Sequence, residues 1–578
     1  MLQEHYIKVI LPLRLEWEPC YTTAAQVRIG DRVAVIFAGR RVVGVVSDAQ
    51  AVPDIDPSRI HPVHSVETGL ESISSEEIRL WRFVADYYMC TIGEVYKAAY
   101  PGLKTASEES GARAKARSVE MEERSRVQWQ KRIARLEERL AAKQKDLSGR
   151  HGEVVRHRLE EQKRAIASEL EDARARLAKL SFNLDLSERD YSLLLKSLPE
   201  LKPDAGLQKL MQGGKPVLLK APDRVDIYAA AAGDVVRKGK NVLVLVNEST
   251  LAGSLNDRLK SEFGNLVLVQ RAGTTKSDQR RINDALRSGR PYILVGTRSS
   301  IFAAHRNLGL VIVENEESRF YKQTDSAPRY NARDCAVQLS VIHRCKIILG
   351  SASPSLESLQ NAISGRYSLY EPATEQNSCR YILVDTVAER RKNGMVGHFS
   401  RKLLSAMRDS TSTAIIRGFE KAEDLEGVHA DIFTIPQAAK TDLSSYGLVA
   451  MLSAEALFDT NDFRSDEHAY QYLERLRSTC RNVVVQTSQA AHQVFSMNNA
   501  YSLLQERRDF RLPPFTRLVD VHTKQSLERE LTASGFIVFP TPDGVRVVLN
   551  KDKSLIEKKK ELRRILSGVK CVIDVDPF

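Results

Sequence analysis

At 578 residues and 42% hydrophobic content, the chain has apolar residues enough for about three to four packed domains of ~100–200 residues each. Its net charge of +12 suits a phosphate-rich partner, since Lys and Arg gain affinity by releasing counterions from nucleic acid; a merely basic soluble protein is the other reading. The seven cysteines are scattered without a C-x-x-C pair, no apolar run approaches ~18 residues and the first residues carry no export-leader pattern, so neither a disulfide framework nor export or membrane insertion is expected, and reduced thiols in the cytoplasm are.

From Lys8 to Val46 apolar and polar positions alternate, with turn letters at Ile29-Gly30-Asp31 and Ala38-Gly39-Arg40, which predicts a small β-rich module. Helical patterning follows from Ser75 to Tyr88.

Between Lys104 and Leu180 the composition shifts to Glu, Arg, Lys and Ala. Apolar residues at Ile133, Leu136, Leu140 and Leu147, then at Leu159, Ile166, Leu170, Ala173, Leu177 and Leu180, keep a 3-4 heptad spacing. The letters from Ser148 to Gly152 can turn the chain, so two antiparallel helices forming a coiled-coil hairpin are predicted. Their charged outer positions read either as a solvated face or as a surface for a partner or DNA.

The short apolar runs Ile293–Val295, Leu310–Val313 and Ile347–Leu349 each end in small or polar residues. Such runs suit buried parallel strands whose carboxyl ends carry ligand-facing loops, and a doubly wound α/β lobe follows.

The wording around these strands is specific. It runs Y-I-L-V-G-T-R-S-S-I-F, N-L-G-L-V-I-V-E-N-E-E-S-R-F-Y-K-Q, P-R-Y-N-A-R-D-C-A and I-I-L-G-S-A-S-P-S-L-E-S between Tyr292 and Ser358. With Trp81–Lys104, Leu503–Val519 and Cys571–Phe578 it closely resembles the PriA family, bacterial primosomal helicases that reload the replication machinery at stalled forks. The resemblance covers both ends and much of the middle, the hairpin excepted; there the family holds a winged-helix domain whose pattern is missing here.

The resemblance implies an α/β multi-domain fold. Its parts are a β-rich N-terminal 3′-DNA-end-binding domain (1–103), the helical coiled-coil hairpin (104–184), two doubly wound helicase-like lobes (185–379 and a shortened 380–498) and a small α+β C-terminal domain (499–578). It places the pocket for a 3′ DNA end around Trp17, Glu18 and Gly39, where W-E-P stands in place of the usual F-D-Y or F-T-Y. Trp17 as an ordinary core aromatic is the alternative.

The motor's catalytic letters are changed. A helicase needs a glycine-rich loop around the nucleotide phosphates, a Lys for them and a hydroxyl for Mg²⁺. The matching stretch L-L-K-A-P-D-R-V-D-I-Y (Leu218–Tyr228) has no glycine, with Arg224 at the lysine position and Val225 at the hydroxyl position. Lys220 and Arg224 are the cations left to meet a phosphate. The family's D-E-E-H, which holds Mg²⁺ and orients the attacking water, becomes Glu314, Asn315, Glu316 and Glu317. Ahead of Val483 the arginine motif is lost as well, Arg477 and Arg481 being its nearest substitutes. These changes argue against bound ATP and Mg²⁺. No cysteine lies between Arg380 and Asn461, so the family's zinc is expected to be absent.

What remains faces DNA in the family. Gly296, Thr297, Arg298 and Ser299 sit at a strand end, suited to a phosphate of single-stranded DNA. Phe320, Tyr321, Lys322, Gln323, Arg329 and Tyr330 match an aromatic-rich loop, suited to stacking unpaired bases or to packing between lobes.

Three functional readings stand. The first is a PriA-like replication-restart protein on forked or single-stranded DNA that helps assemble the primosome, with ATPase and helicase activity impaired. The second is an active ATP-dependent 3′-5′ DNA helicase, and the third an interaction factor recruiting the helicase loader. The resemblance implies primosome and helicase-loading proteins and single-stranded-DNA-binding protein as partners, a monomer, and a cytoplasmic, nucleoid-associated location.

Overall fold

The computed structural model describes residues 5–101, 108–147, 149, 153–180, 188–201, 203–247, 253–271, 273–372, 379–425, 427–439, 441–459, 462–496 and 499–578. At the N-terminus, β1 (His5–Ile10), β2 (Cys20–Thr23), β3 (Arg32–Phe37), β4 (Arg40–Asp48) and β5 (Ser65–Val66) form an antiparallel sheet in the order β2-β1-β4-β3-β5. Ala38 and Gly39 join β3 to β4 at φ of 47° and 73°, the left-handed turn that matches the twist of paired strands. Two helices close this unit, α1 (Ser75–Tyr87) and α2 (Ile92–Ala99), each started by a capping box, Ser74 with Glu77 and Thr91 with Glu94. Trp81, Tyr88 and Tyr96 are buried beneath them.

Two long helices follow, α3 (Glu108–Leu147) and α4 (Glu153–Leu180). Leu136 of α3 is buried against Ile166, Leu170 and Ala173 of α4, flanked by Trp129, Ile133 and Leu140. These are the heptad positions, and Arg174 crosses to Glu137 at 2.6 Å. Apart from Gly149, the predicted turn at 148–152 lies outside the described residues.

Helices α5 (Glu188–Ser197) and α6 (Ala205–Gln212) lead into a seven-stranded sheet. Its strands are β6 (Val217–Lys220), β7 (Asn241–Leu245), β8 (Val267–Gln270), β9 (Ile293–Gly296), β10 (Leu308–Glu314), β11 (Lys346–Ser351) and β12 (Ser368–Tyr370), in the order β12-β6-β11-β10-β7-β9-β8. All its pairings are parallel. The three runs read as buried strands are β9, β10 and β11. Alternate residues feed two cores: Leu243 and Leu245 enter one, Val242 and Val244 the other. The helices α7 (Val225–Arg237), α8 (Ser254–Phe263), α9 (Lys276–Arg287), α10 (Ala332–His343) and α11 (Leu356–Ile363) cover the sheet, as two-sided burial of a parallel sheet demands.

The second lobe repeats this plan. Its strands β13 (Arg380–Asp385), β16 (Thr413–Arg417), β17 (Asp431–Thr434), β18 (Leu448–Met451) and β19 (Asn482–Thr487) make a parallel sheet in the order β13-β19-β18-β16-β17, beside a small pair of β14 (Met395–Val396) and β15 (Phe399–Ser400). Around it lie α12 (Thr386–Lys392), α13 (Arg401–Arg408), α14 (Ile435–Ala438) and α15 (Ser465–Thr479). After α16 (Asn499–Asp509) the chain ends in an antiparallel sheet, β21-β22-β20-β23, of β20 (Thr516–His522), β21 (Ile537–Thr541), β22 (Gly544–Asn550) and β23 (Val572–Val575), with α17 (Glu528–Ala533) and α18 (Leu555–Leu566). Val519, Val547 and Val575 of this sheet share one continuous core with Trp81 of α1 and Val311 of β10. No helix among the described residues is long and apolar enough to cross a membrane.

Candidate functional site

Sheet order brings the expected phosphate loop and the acidic stretch together, because β11 lies between β6 and β10 and Ser351 is in register with Lys220 while Gly350 is in register with Glu314. The loop after β6 then delivers Arg224 across the strand ends. Its guanidinium donates through Nε to Glu314 at 2.9 Å, and through Nη2 to the other Glu314 oxygen at 2.5 Å and to Asn315 Oδ1 at 2.9 Å. Nη1 turns back onto the carbonyls of Ala221 and Pro222. Tyr228 of α7 adds its hydroxyl to Glu314 at 2.7 Å.

This ion pair is closed to solvent, Arg224 being 6% exposed. Burial works against the guanidinium charge, yet the Glu314 carboxylate beside it holds the pKa above its ordinary value. Gly350 makes the approach possible: a Cβ there would stand 1.6 Å from the Tyr228 hydroxyl and 3.0 Å from Arg224 Cδ. The start of α7 is covered too, since Asp223 accepts from the Val225 N–H at 3.1 Å. A carboxylate thus sits where a phosphate-binding helix offers free N–H groups.

The other cations and acids here are also engaged. Lys220 pairs with Glu371 at 2.9 Å, and Val225 carries no oxygen for a metal. Asn315 stands at φ 51° with its side chain taken by Arg224. Glu316, 1% exposed, accepts from the Ser355 N–H at 2.7 Å, the Ser355 and Ser358 hydroxyls at 3.0 and 2.8 Å, and Arg333 at 3.2 Å. It anchors the start of α11 and is not free to orient water. Glu317 is pushed up to about 7, first by burial and then by Glu316, and its Oε2 has no hydrogen-bond partner. These residues do not fit a nucleoside triphosphate with Mg²⁺. Arg224, expected as a cation left for phosphate, is instead consumed inside the protein.

Trp17 and Glu18 line an open cavity of about 770 Å³ in the N-terminal unit, with Asp48, Arg82, Asp86 and Arg563 around them. Trp17 is 61% exposed, which overturns its reading as a core aromatic. Arg82 donates to Glu18 at 2.9 Å. Arg563, from α18, crosses over and donates to the carbonyls of Ala85 and Cys90 at 2.8 and 3.1 Å. Gly39 lies in the β3–β4 turn and is not among the residues lining the cavity. Arg82 and Arg563 carried no sequence signal, since a lone Arg on a helix reads the same whether it faces water or a cavity.

The strand end at Gly296 leaves Ser299 exposed, with Thr297 buried. A Cβ on Gly296 would meet Ser300 Oγ at 2.0 Å. Arg298 donates to the Lys322 carbonyl at 3.1 Å. The aromatic-rich loop departs from the base-stacking expectation. Tyr321 is 1% exposed and donates to the Glu314 carbonyl at 2.5 Å. Tyr330 is buried against Phe302, ring centres 4.9 Å apart. Lys322, also buried, pairs with Asp574 of β23 at 2.7 Å and donates to the carbonyls of Val575 and Arg329. Arg329 reaches the same Asp574 at 3.2 Å, while Gln323 donates to Ser326 at 3.1 Å. Lys322 and Arg329 knit the first lobe to the C-terminal sheet, while Tyr321 and Tyr330 pack inside the first lobe, in keeping with the packing alternative. Phe320 alone of the loop's aromatics is open, at 54% exposure, with the Arg319 guanidinium 5.7 Å from its ring centre.

The lobes are joined by charge. Arg464 pairs with Glu357 at 2.9 Å, and Glu467 accepts from the Leu356 N–H at 2.9 Å and from Arg507 at 3.1 Å. Arg477 pairs with Glu474 at 2.6 Å and lies 4.0 Å from the Tyr381 ring centre, within its own lobe.

The PriA 3′DNA-binding domain (3′BD) family matches residues 8–101, the unit that holds Trp17 and Glu18. Replication restart protein PriA of Chlamydia pneumoniae is 33% identical over 223 residues, covering 38% of this chain and 29% of that protein. The PriA of Haemophilus influenzae is 34% identical over 188 residues, covering 32% of this chain and 25% of its own length. The matched stretches therefore span less than a third of those relatives. A solved structure of RecG bound to a three-way DNA junction aligns at a TM-score of 0.33 and 14% identity, covering 57% of this chain and 50% of that one. Residues 8–101 thus match the PriA 3′DNA-binding domain, and about a third of the chain is similar to stretches of replication restart protein PriA.

Proposed function

We propose that this chain acts in replication restart as a DNA-binding scaffold on forked or single-stranded DNA, without ATP-driven unwinding. The buried Arg224–Glu314 pair carries the reading, because it fills with the protein's own charges the place where a motor of this family would hold phosphate and metal. The matched 3′DNA-binding domain and the open cavity at Trp17 and Glu18 support a 3′ DNA end as ligand. Phe320, with Arg319 beside it, is the ring we assign to base stacking, and Ser299 the strand-end hydroxyl for a phosphate.

The reading includes the five-part division at 1–103, 104–184, 185–379, 380–498 and 499–578, with α3 and α4 as a coiled-coil hairpin and the last part a small α+β domain. A second lobe free of cysteine from Arg380 to Asn461 supports a protein without structural zinc. Primosome and helicase-loading proteins and single-stranded-DNA-binding protein are its proposed partners, and a monomer in the cytoplasm, at the nucleoid, its proposed state.

The test is a titration of millimolar MgATP into the purified full chain, with and without a forked DNA. Absent nucleotide binding and absent DNA-stimulated hydrolysis are expected, since loss of an arginine finger alone costs ~10³–10⁵ in rate in such sites. Hydrolysis of several ATP per second, stimulated by DNA, overturns the scaffold reading.

A further inference from the structure

Helix α3 carries a charge pattern that neither the cavity at Trp17 nor the cleft at Arg224 uses. Lys131, Arg135 and Arg139 recur every four residues with Arg132 between them, and all four side chains are exposed. They fall on one flank of α3, beside the Ile133–Leu136–Leu140 seam that packs on α4. Steps of four residues set successive charges about 6 Å apart, so Lys131 to Arg139 spans about 12 Å of a straight rod. Lys131, Arg135 and Arg139 have no ion-pair partner among the described residues, and Arg132 lies over the Trp129 ring at 5.3 Å. Glu137 is turned to α4, where Arg174 holds it at 2.6 Å; Glu138 stands at the edge of the flank.

We infer that this flank is a second nucleic-acid contact, taking the sugar–phosphate backbone of a double helix. A packed two-helix rod holds its cations at fixed spacing, and duplex DNA is a polyanion whose phosphates are fixed as well, at one charge per about 1.7 Å of axis. A flexible single strand must be ordered before it can match such a row. A lone helix of about 10–12 Å diameter fits a major groove about 12 Å wide, whereas α3 with α4 against it is too broad to enter. The flank therefore meets backbone and not base edges, and its contact is independent of sequence.

The test uses the full chain with the triple substitution Lys131→Ala, Arg135→Ala, Arg139→Ala, which removes exposed groups and leaves the α3–α4 seam intact. Its affinity is measured against a 3′-tailed duplex with a long arm and against the tail alone, across a salt series. The variant is expected to bind the duplex-armed DNA about tenfold or more weakly, with the salt slope smaller by about 2–3, as loss of about three phosphate contacts requires. Binding to the tail alone should stay within about twofold of the parent. A charge-keeping variant, Lys131→Arg with Arg135→Lys and Arg139→Lys, should bind as the parent does. Parental affinity and salt slope in the alanine variant overturn the inference, as does capture of an acidic protein through these residues with DNA binding unmoved. A tail-bound protein whose flank is inert sinks this inference alone; a parent chain that binds no DNA at low salt sinks the proposed function with it.

Discussion

Arg224 and Glu314 grip each other inside the first lobe, the guanidinium spanning both carboxylate oxygens at 2.9 and 2.5 Å. The pair joins the loop after β6 to the end of β10. An internal salt bridge of this kind needs no ligand to neutralise it.

Replacing Glu314 with Ala should strand the Arg224 charge in a buried site, a change that costs about 3–5 kcal/mol in comparable pairs. Hydrogen exchange at the β6 and β10 amides reads the loss. Arg224→Met combined with Glu314→Leu should recover most of it, because no charge is then left unpaired. A double variant as unstable as the single one contradicts the assignment.

The loop aromatics should separate by role. Phe320→Ala is expected to weaken single-strand binding by about 1–3 kcal/mol, the range for one base stacked on one ring, with the melting curve unchanged. Tyr321→Ala should cost about 3–5 kcal/mol of stability instead, as for a buried aromatic. Fluorescence anisotropy with a 3′-tailed oligonucleotide and thermal melting of both variants distinguish the two effects. Equal loss of DNA affinity in two well-folded variants would falsify the division.

Glu317 should make the first lobe sensitive to alkali. Its folded pKa of about 7 lies above the ordinary 4.5, so folding favours the protonated form. That contribution is whole below the ordinary value and is lost as pH rises through about 7, leaving a cost of about 3 kcal/mol above neutrality. Glu317→Gln should therefore stabilise the protein at pH 8 and leave it nearly unchanged at pH 5. Denaturant midpoints at the two pH values check this, and a variant that gains equally at both contradicts it.

Glu467 should be the residue that keeps the lobes in one arrangement. Glu467→Ala removes the acceptor of Arg507 and of the Leu356 N–H, and a buried guanidinium without its anion costs about 3–5 kcal/mol. A larger radius of gyration by small-angle scattering is expected, from lobes no longer held together. An unchanged scattering curve argues that apolar contacts alone hold them.

The strands around the cleft were legible in the letters. Ile293–Val295, Leu310–Val313 and Ile347–Leu349 are short unbroken apolar runs, and a strand buried on both faces has no other way to be written. The heptad positions Leu136, Ile166, Leu170 and Ala173 were legible for a similar reason, since the seam they form repeats every turn or two of one helix. The absence of glycine from Leu218 to Tyr228 was equally plain.

The fates of the charged and aromatic residues were not. Arg224 read as a cation left for phosphate, and Tyr321, Lys322 and Tyr330 as part of a loop suited either to stacking bases or to packing between lobes, yet each is buried. The sequence by itself determined the elements, because periodicity depends on neighbours within one strand or helix. Only the tertiary structure decided which charges meet. The order β6-β11-β10 brings Glu314 to Arg224 and the docking of β23 brings Asp574 to Lys322, and a polar side chain's state is set by the partner that arrives from elsewhere in the chain.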